Sequence, residues 1–128
     1  MSLILASALV ASSAAAKPHL RDTPIDDAIL SMGLADQIRK ECPDISARMV
    51  KALRAAHGLK DQALALGYSE AEIDAYRKSA TEKARLRAAG EARLAAEGVT
   101  PGDAQSYCAF GRREIEQQTP IGVLLRAS

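Results

Sequence analysis

The sequence predicts an all-α protein: a small four-helix bundle with a short C-terminal helix, tied by one disulfide. Three observations carry that reading. Strand signals are few, with no sustained apolar–polar alternation and few β-branched runs. Apolar residues recur at steps of three and four along most of the chain. Helix-starting and helix-stopping residues punctuate it at matching intervals.

The beginning reads as a leader. Residues 3–16, "LILASALVASSAAA", carry no charge and no Pro or Gly. An apolar run that passes into small residues, with Ala14-Ala15-Ala16 fitting the small-x-small rule, predicts cleavage after Ala16. The run is too short for a resident membrane helix, which needs ~20 apolar residues. No Lys or Arg follows Met1, so the usual basic start of a leader is missing, and a start codon placed too far downstream would explain that. The expected organisation is a signal peptide over 1–16, an N-terminal extension over 17–23 and a single helical domain over 24–128. The expected location is the periplasm.

The first helix opens at Thr23-Pro24, an N-cap followed by a helix-starting proline. Leu30, Leu34 and Ile38 lie one turn apart, with Ile25 and Ile29 beside them. Pro43 ends the helix near Cys42, because the residue before a proline disfavours helical geometry. Asp44 is the expected cap of the second helix. Ile45, Met49, Leu53, Ala56, Leu59, Ala63 and Leu66 form its stripe, and Gly67 its left-handed stop.

"YSEAEI" opens the third helix. Ser69 and Glu72 fit a capping box, and Tyr68 and Ile73 a hydrophobic staple. The helix is expected to run to Glu97. Its stripe is clear at Ile73, Tyr76, Ala80 and Ala84, then slips round to Leu86, Gly90 and Leu94. The far half therefore projects, bends or meets a partner. Residues 77–93, "RKSATEKARLRAAGEAR", hold six basic residues against Glu82 and Glu91. Arg85, Leu86, Arg87, Arg93 and Leu94 are the expected interaction surface, for acidic protein or anionic lipid headgroups. The second helix carries a comparable basic row at Arg48, Lys51 and Arg54, read as the polar back of a buried helix.

The fourth helix is expected to start at Thr100-Pro101. Its inner stripe is Ala104, Tyr107, Cys108, Gly111 and Ile115. After Thr119-Pro120, the short segment "PIGVLLR" covers an open end of the bundle with Ile121, Val123, Leu124 and Leu125.

Cys42 and Cys108 are expected to pair, since two cysteines in one small exported domain usually do. The alternatives are two buried thiols or half of a metal site. For a metal there is no CxxC, and His19 and His57 stand far apart.

The pieces "CPDISARMV", "GYSEAEIDAY", "PGDAQSYCAFGRREI" and "IGVLLR", in that order, resemble a family of small exported alphaproteobacterial proteins classed as a domain of unknown function. The likeness covers residues 20 to 126. It implies a secreted leader, a helical fold and a cysteine pair, and it brings no catalytic residues to carry over.

Charge narrows the function. Seventeen basic residues against sixteen acidic give a net charge of +1, which argues against bulk nucleic-acid binding. No GxSxG, HExxH or P-loop pattern occurs. His57 and Asp61, one turn apart, read as a surface contact. The expectation is a non-catalytic accessory protein with a protein partner, in an envelope or respiratory complex. It uses no cofactor or metal and has no transmembrane span in the mature chain, though membrane-surface contact stays open. The alternative is an enzyme or small-ligand carrier whose site the sequence does not advertise.

Overall fold

The computed structural model describes residues 16–128. The expected leader over 1–16 lies, but for Ala16, outside them. A 3-10 turn at Leu20–Asp22 leads into helix α1, Pro24–Glu41. Then come strand β1, Ile45–Ala47, and helices α2, Met49–Ala65, α3, Glu70–Lys78, α4, Ala80–Ala96, and α5, Ala104–Gln117. A second 3-10 turn, Gly122–Leu124, runs directly into strand β2, Leu125–Ala127. The protein is mostly helical, as its punctuation indicates, with a two-stranded sheet added.

The sheet revises two expectations. Asp44 does not cap a helix. The chain leaves α1 at Cys42, and β1 pairs antiparallel with β2, Ile45 opposite Ala127 and Ala47 opposite Leu125. Beyond the ladder, the Arg48 N–H donates to the Leu124 carbonyl and the Ser128 N–H to that of Asp44, at 2.8 Å each. The C-terminal segment is a single 3-10 turn of helix, Gly122–Leu124, that runs on into a strand. Its cover role holds, with Ile121, Leu124 and Leu125 all buried.

The third helix breaks. Ser79 leaves helical geometry at φ −62°, ψ 120°, and its hydroxyl accepts from the Glu82 N–H, starting a fresh helix. That break explains the slipping stripe. Ile73 and Tyr76 serve one small core with Leu20, Ile25 and Ala63. Leu94 serves the main core, and Gly90 stands close enough to α1 that a Cβ there would meet Leu30 and Leu34 at 3.7 Å. Among the described residues the bundle thus has five α-helices, where four and a short C-terminal helix were expected. The fourth expected helix, now α5, begins at Ala104, capped by the Asp103 carboxylate and not by Thr100.

The main core gathers Leu34, Ile38, Cys42, Ile45, Leu94, Tyr107, Cys108, Phe110 and Leu125. Within it Cys42 and Cys108 form a disulfide, 5.2 Å between Cα atoms, which ties the end of α1 to the middle of α5. The extension over 17–23 packs onto the fold: Leu20 is buried, and Lys17 Nζ meets Glu72 Oε2 at 2.8 Å.

Candidate functional site

The most connected polar group sits where α1, α3 and α4 converge. Asp26 belongs to the first turn of α1, Tyr76 to the last turns of α3, and Glu82 and Arg85 to the start of α4. Arg85 donates to both oxygens of Asp26, at 2.6 and 3.1 Å, and to Glu82 Oε2 at 2.8 Å. The Tyr76 hydroxyl donates to Asp26 Oδ1 at 2.8 Å, and Arg21 reaches the other Glu82 oxygen. Asp26 and Glu82 are both buried.

The electrostatics follow from these contacts. The Arg85 hydrogen bonds hold both the Asp26 and the Glu82 carboxyl below their ordinary values, outweighing the opposing effect of burial. Arg85 is raised, first by Asp26 and then by Glu82. Burial, with the Asp26 contact second, pushes the Tyr76 hydroxyl up to about 12. Both carboxylates stay ionised and Tyr76 stays protonated across the neutral range. The cluster is an electrostatic clasp that ties α1, α3 and α4 together.

Beside the clasp lies an open cleft of about 800 Å³. Its walls include Ile25, Ile29 and Met32 of α1, Leu59 and Ala63 of α2, Ala71, Ile73 and Tyr76 of α3, and Leu86 of α4, with His57, Lys60, Glu70, Asp74, Arg77, Glu82 and Lys83 also lining it. A second cleft, about 580 Å³, runs on between α1 and α4 past Leu30, Leu34, Arg87, Gly90 and Leu94. The two share Ile29, Lys83 and Leu86.

The expected interaction residues are distributed differently from a projecting face. Arg85 is held in the clasp. Leu86 lines both clefts, Arg87 is exposed on the wall of the second, and Leu94 is buried in the main core. Arg93 pairs with Glu97 at 3.1 Å and with the buried Glu114 at 3.6 Å. The segment from 85 to 97 is thus one wall of the bundle. Replacing Arg85 and Arg93 would unpair buried carboxylates and disturb folding as well as docking. Among the described residues, Cys42, Asp44 and Cys108 lie close enough together to suggest a metal site, but both sulfurs are bound to each other. His57 and Asp61 are both exposed.

The sequence held an unused pointer to the clasp. "SATE", Ser79 to Glu82, repeats the spacing of "SEAE" at Ser69–Glu72, and a second cap signal inside one expected helix marks a break. In the first box the Glu72 side chain returns to the Ser69 N–H. In the second, Glu82 turns instead to Arg21 and Arg85.

Fold and site together define a small helical protein, closed by one disulfide, with a buried ionic cluster beside a largely apolar cleft. A family model described as a family of unknown function (DUF5333) matches residues 17–126, and the chain belongs to that family. No curated protein and no solved structure matches it.

Proposed function

We propose that this is a non-catalytic interaction or accessory protein of the periplasm, exported with its leader removed near Ala16, and that it docks through the outward face of α2. One observation carries the reading: α2 is packed inside out. A surface helix ordinarily turns its large apolar residues to the core. Here the small Ala52, Ala55 and Ala63 face inward with Leu59, while Met49, Val50 and Leu53 stand 58, 66 and 57% exposed. The expected stripe through Met49 and Leu53 is therefore not the buried one. Lys51 and Arg54, both exposed, border the patch. An apolar centre with a basic rim suits an acidic face on an envelope or respiratory assembly. Arg87 on α4 is a further exposed cation open to such a partner.

Two features, the disulfide and the clasp, support the compartment and the absence of catalysis. A disulfide suits an oxidising environment. Among the described residues no helix is long and apolar enough to cross a membrane. The clasp holds its titratable groups away from neutrality, which favours a structural role over acid–base work.

A photo-crosslinker at Val50 tests the reading, with Glu116 as an exposed control position. A discrete adduct with an acidic envelope protein at Val50, lost in the Met49→Asp/Leu53→Asp variant, is the expected result. Equal labelling from Val50 and Glu116 overturns it.

A further inference from the structure

We propose that the cleft between α1, α2, α3 and α4 binds a free long-chain fatty acid, with its carboxylate on Lys83 and its chain over Ile29, Leu59 and Ile73. The site is independent of the α2 docking face, and either reading can fail alone.

Shape comes first. The cleft's volume of about 800 Å³ falls within the range of small-molecule sites, roughly 300–1,000 Å³. It meets the second cleft at Ile29, Lys83 and Leu86. Ile29, Leu59 and Ile73 offer an apolar wall to one alkyl chain whose head lies at that junction.

Charge selects the headgroup. Most ionic groups on the rim already have partners. Glu70 pairs with Lys60, Asp74 with Arg77 and Lys78, and Glu82 with Arg21 and Arg85. Lys83 is exposed and makes no ion pair among the described residues. It stands where the two clefts meet, with Arg87 one turn further along the same helix. Glu91, also on the second cleft, is two turns from Lys83 and leaves that junction cationic. An apolar trough with an unmatched cation at its mouth complements a molecule with an anionic head and an apolar tail. A neutral or cationic amphiphile gains nothing from Lys83.

The test is displacement of a fluorescent fatty acid, cis-parinarate, from the folded, disulfide-bonded protein. The competitors are palmitate, methyl palmitate, the matching alkyl amine and phosphatidylglycerol vesicles. Palmitate should displace the probe saturably, and the ester and amine should be weaker by about tenfold or more, the scale of a charge-assisted hydrogen bond. Lys83→Glu should weaken palmitate by a similar factor. Ala71→Phe, which fills the cleft from an exposed position on α3, should do the same. Melting curves of both variants should match the wild type, and Lys83→Glu alone decides if Ala71→Phe does not fold. The proposal is overturned if palmitate fails to displace the probe, or if ester or amine competes equally. It is also overturned if Lys83→Glu binds palmitate like the wild type, if a folded Ala71→Phe does so, or if the vesicles alone compete.

Discussion

Arg85 on α4 grips both carboxylate oxygens of Asp26 on α1, 59 residues away in the chain. The same guanidinium reaches Glu82 on its own helix, so Arg85 bridges two buried carboxylates, and Arg21 supplies the second cation. This contact fixes where α4 lies and thereby shapes the cleft mouth, because Glu82, Lys83 and Leu86 all line it. The energetic consequence is asymmetric. An ion pair of this kind contributes modestly when intact, but loss of one partner leaves the other desolvated.

Arg85→Leu is therefore expected to destabilise the fold by about 1–3 kcal/mol, below the ~3–5 kcal/mol of a fully buried pair because Arg85 is 32% exposed. Adding Asp26→Asn should recover part of that loss. Urea denaturation of both single variants and the double variant measures the coupling; strictly additive losses would show that the contact has no energetic weight.

The clasp also fixes the response to acid. Asp26 and Glu82 have folded values below their ordinary 3.8 and 4.5. A depressed carboxylate gives stability that is present above its unfolded value and lost as pH falls through its folded value. The melting temperature should accordingly hold near neutrality, begin to drop near pH 4.5 and keep dropping below 3.8. Asp26→Asn should shallow the lower part of that slope. An unchanged slope in this variant would place the acid sensitivity at other carboxylates, such as Asp36 beside Lys40.

The helices were legible because local rules decide them. Pro24, the Ser69–Glu72 box and Gly67 at φ +97° act within a few residues of their own positions. The α1 stripe survived into the core for the same reason: Leu34 and Ile38 face α5 and the disulfide. The sheet was not legible, because three-residue strands leave no period and β1 finds its partner 80 residues away at the C-terminus. The orientation of α2 was also hidden. Its sequence offers two apolar faces, one of alanines and one of Met49 and Leu53, and periodicity alone does not choose the alanine face that packs against the cores. The surface expected on α4 rests on a slipping apolar stripe bordered by charge, and neither tells a solvent-facing arginine such as Arg87 from one committed to Asp26.

The disulfide should dominate stability. Cys42 and Cys108 are 66 residues apart, and the loop-entropy estimate for such a closure is roughly 4 kcal/mol. Since ~1 kcal/mol shifts a domain of this size by roughly 4–8 °C, reduction should lower the melting temperature by more than ten degrees. Calorimetry with and without a reductant checks this. Unreduced protein should also resist thiol alkylation at both positions.

Three glycines should respond to a methyl group with different signs. At Gly111, in the middle of α5, an added Cβ would lie 2.5 Å from Ile45 Cδ1 and 2.7 Å from Ile38 Cγ2. Both isoleucines are fully packed, so Gly111→Ala should cost about 1–3 kcal/mol through overpacking. At Gly122 the added atom would fall 1.8 Å from the Glu114 carbonyl oxygen, a backbone atom that no rotamer change can move aside. Gly122→Ala should be the most damaging of the three, because it lifts the C-terminal turn off α5 and weakens the sheet behind it. Gly90 is the opposite case. Its added Cβ would meet Leu30 and Leu34 at 3.7 Å, an ordinary contact, and α4 would lose a poor helix former. Gly90→Ala should therefore stabilise the protein by up to about 1 kcal/mol. Thermal melts of the three variants give the ranking. If Gly90→Ala melts below the wild type, α4 is pressed more closely against α1 than these contacts allow, and the second cleft is narrower in solution.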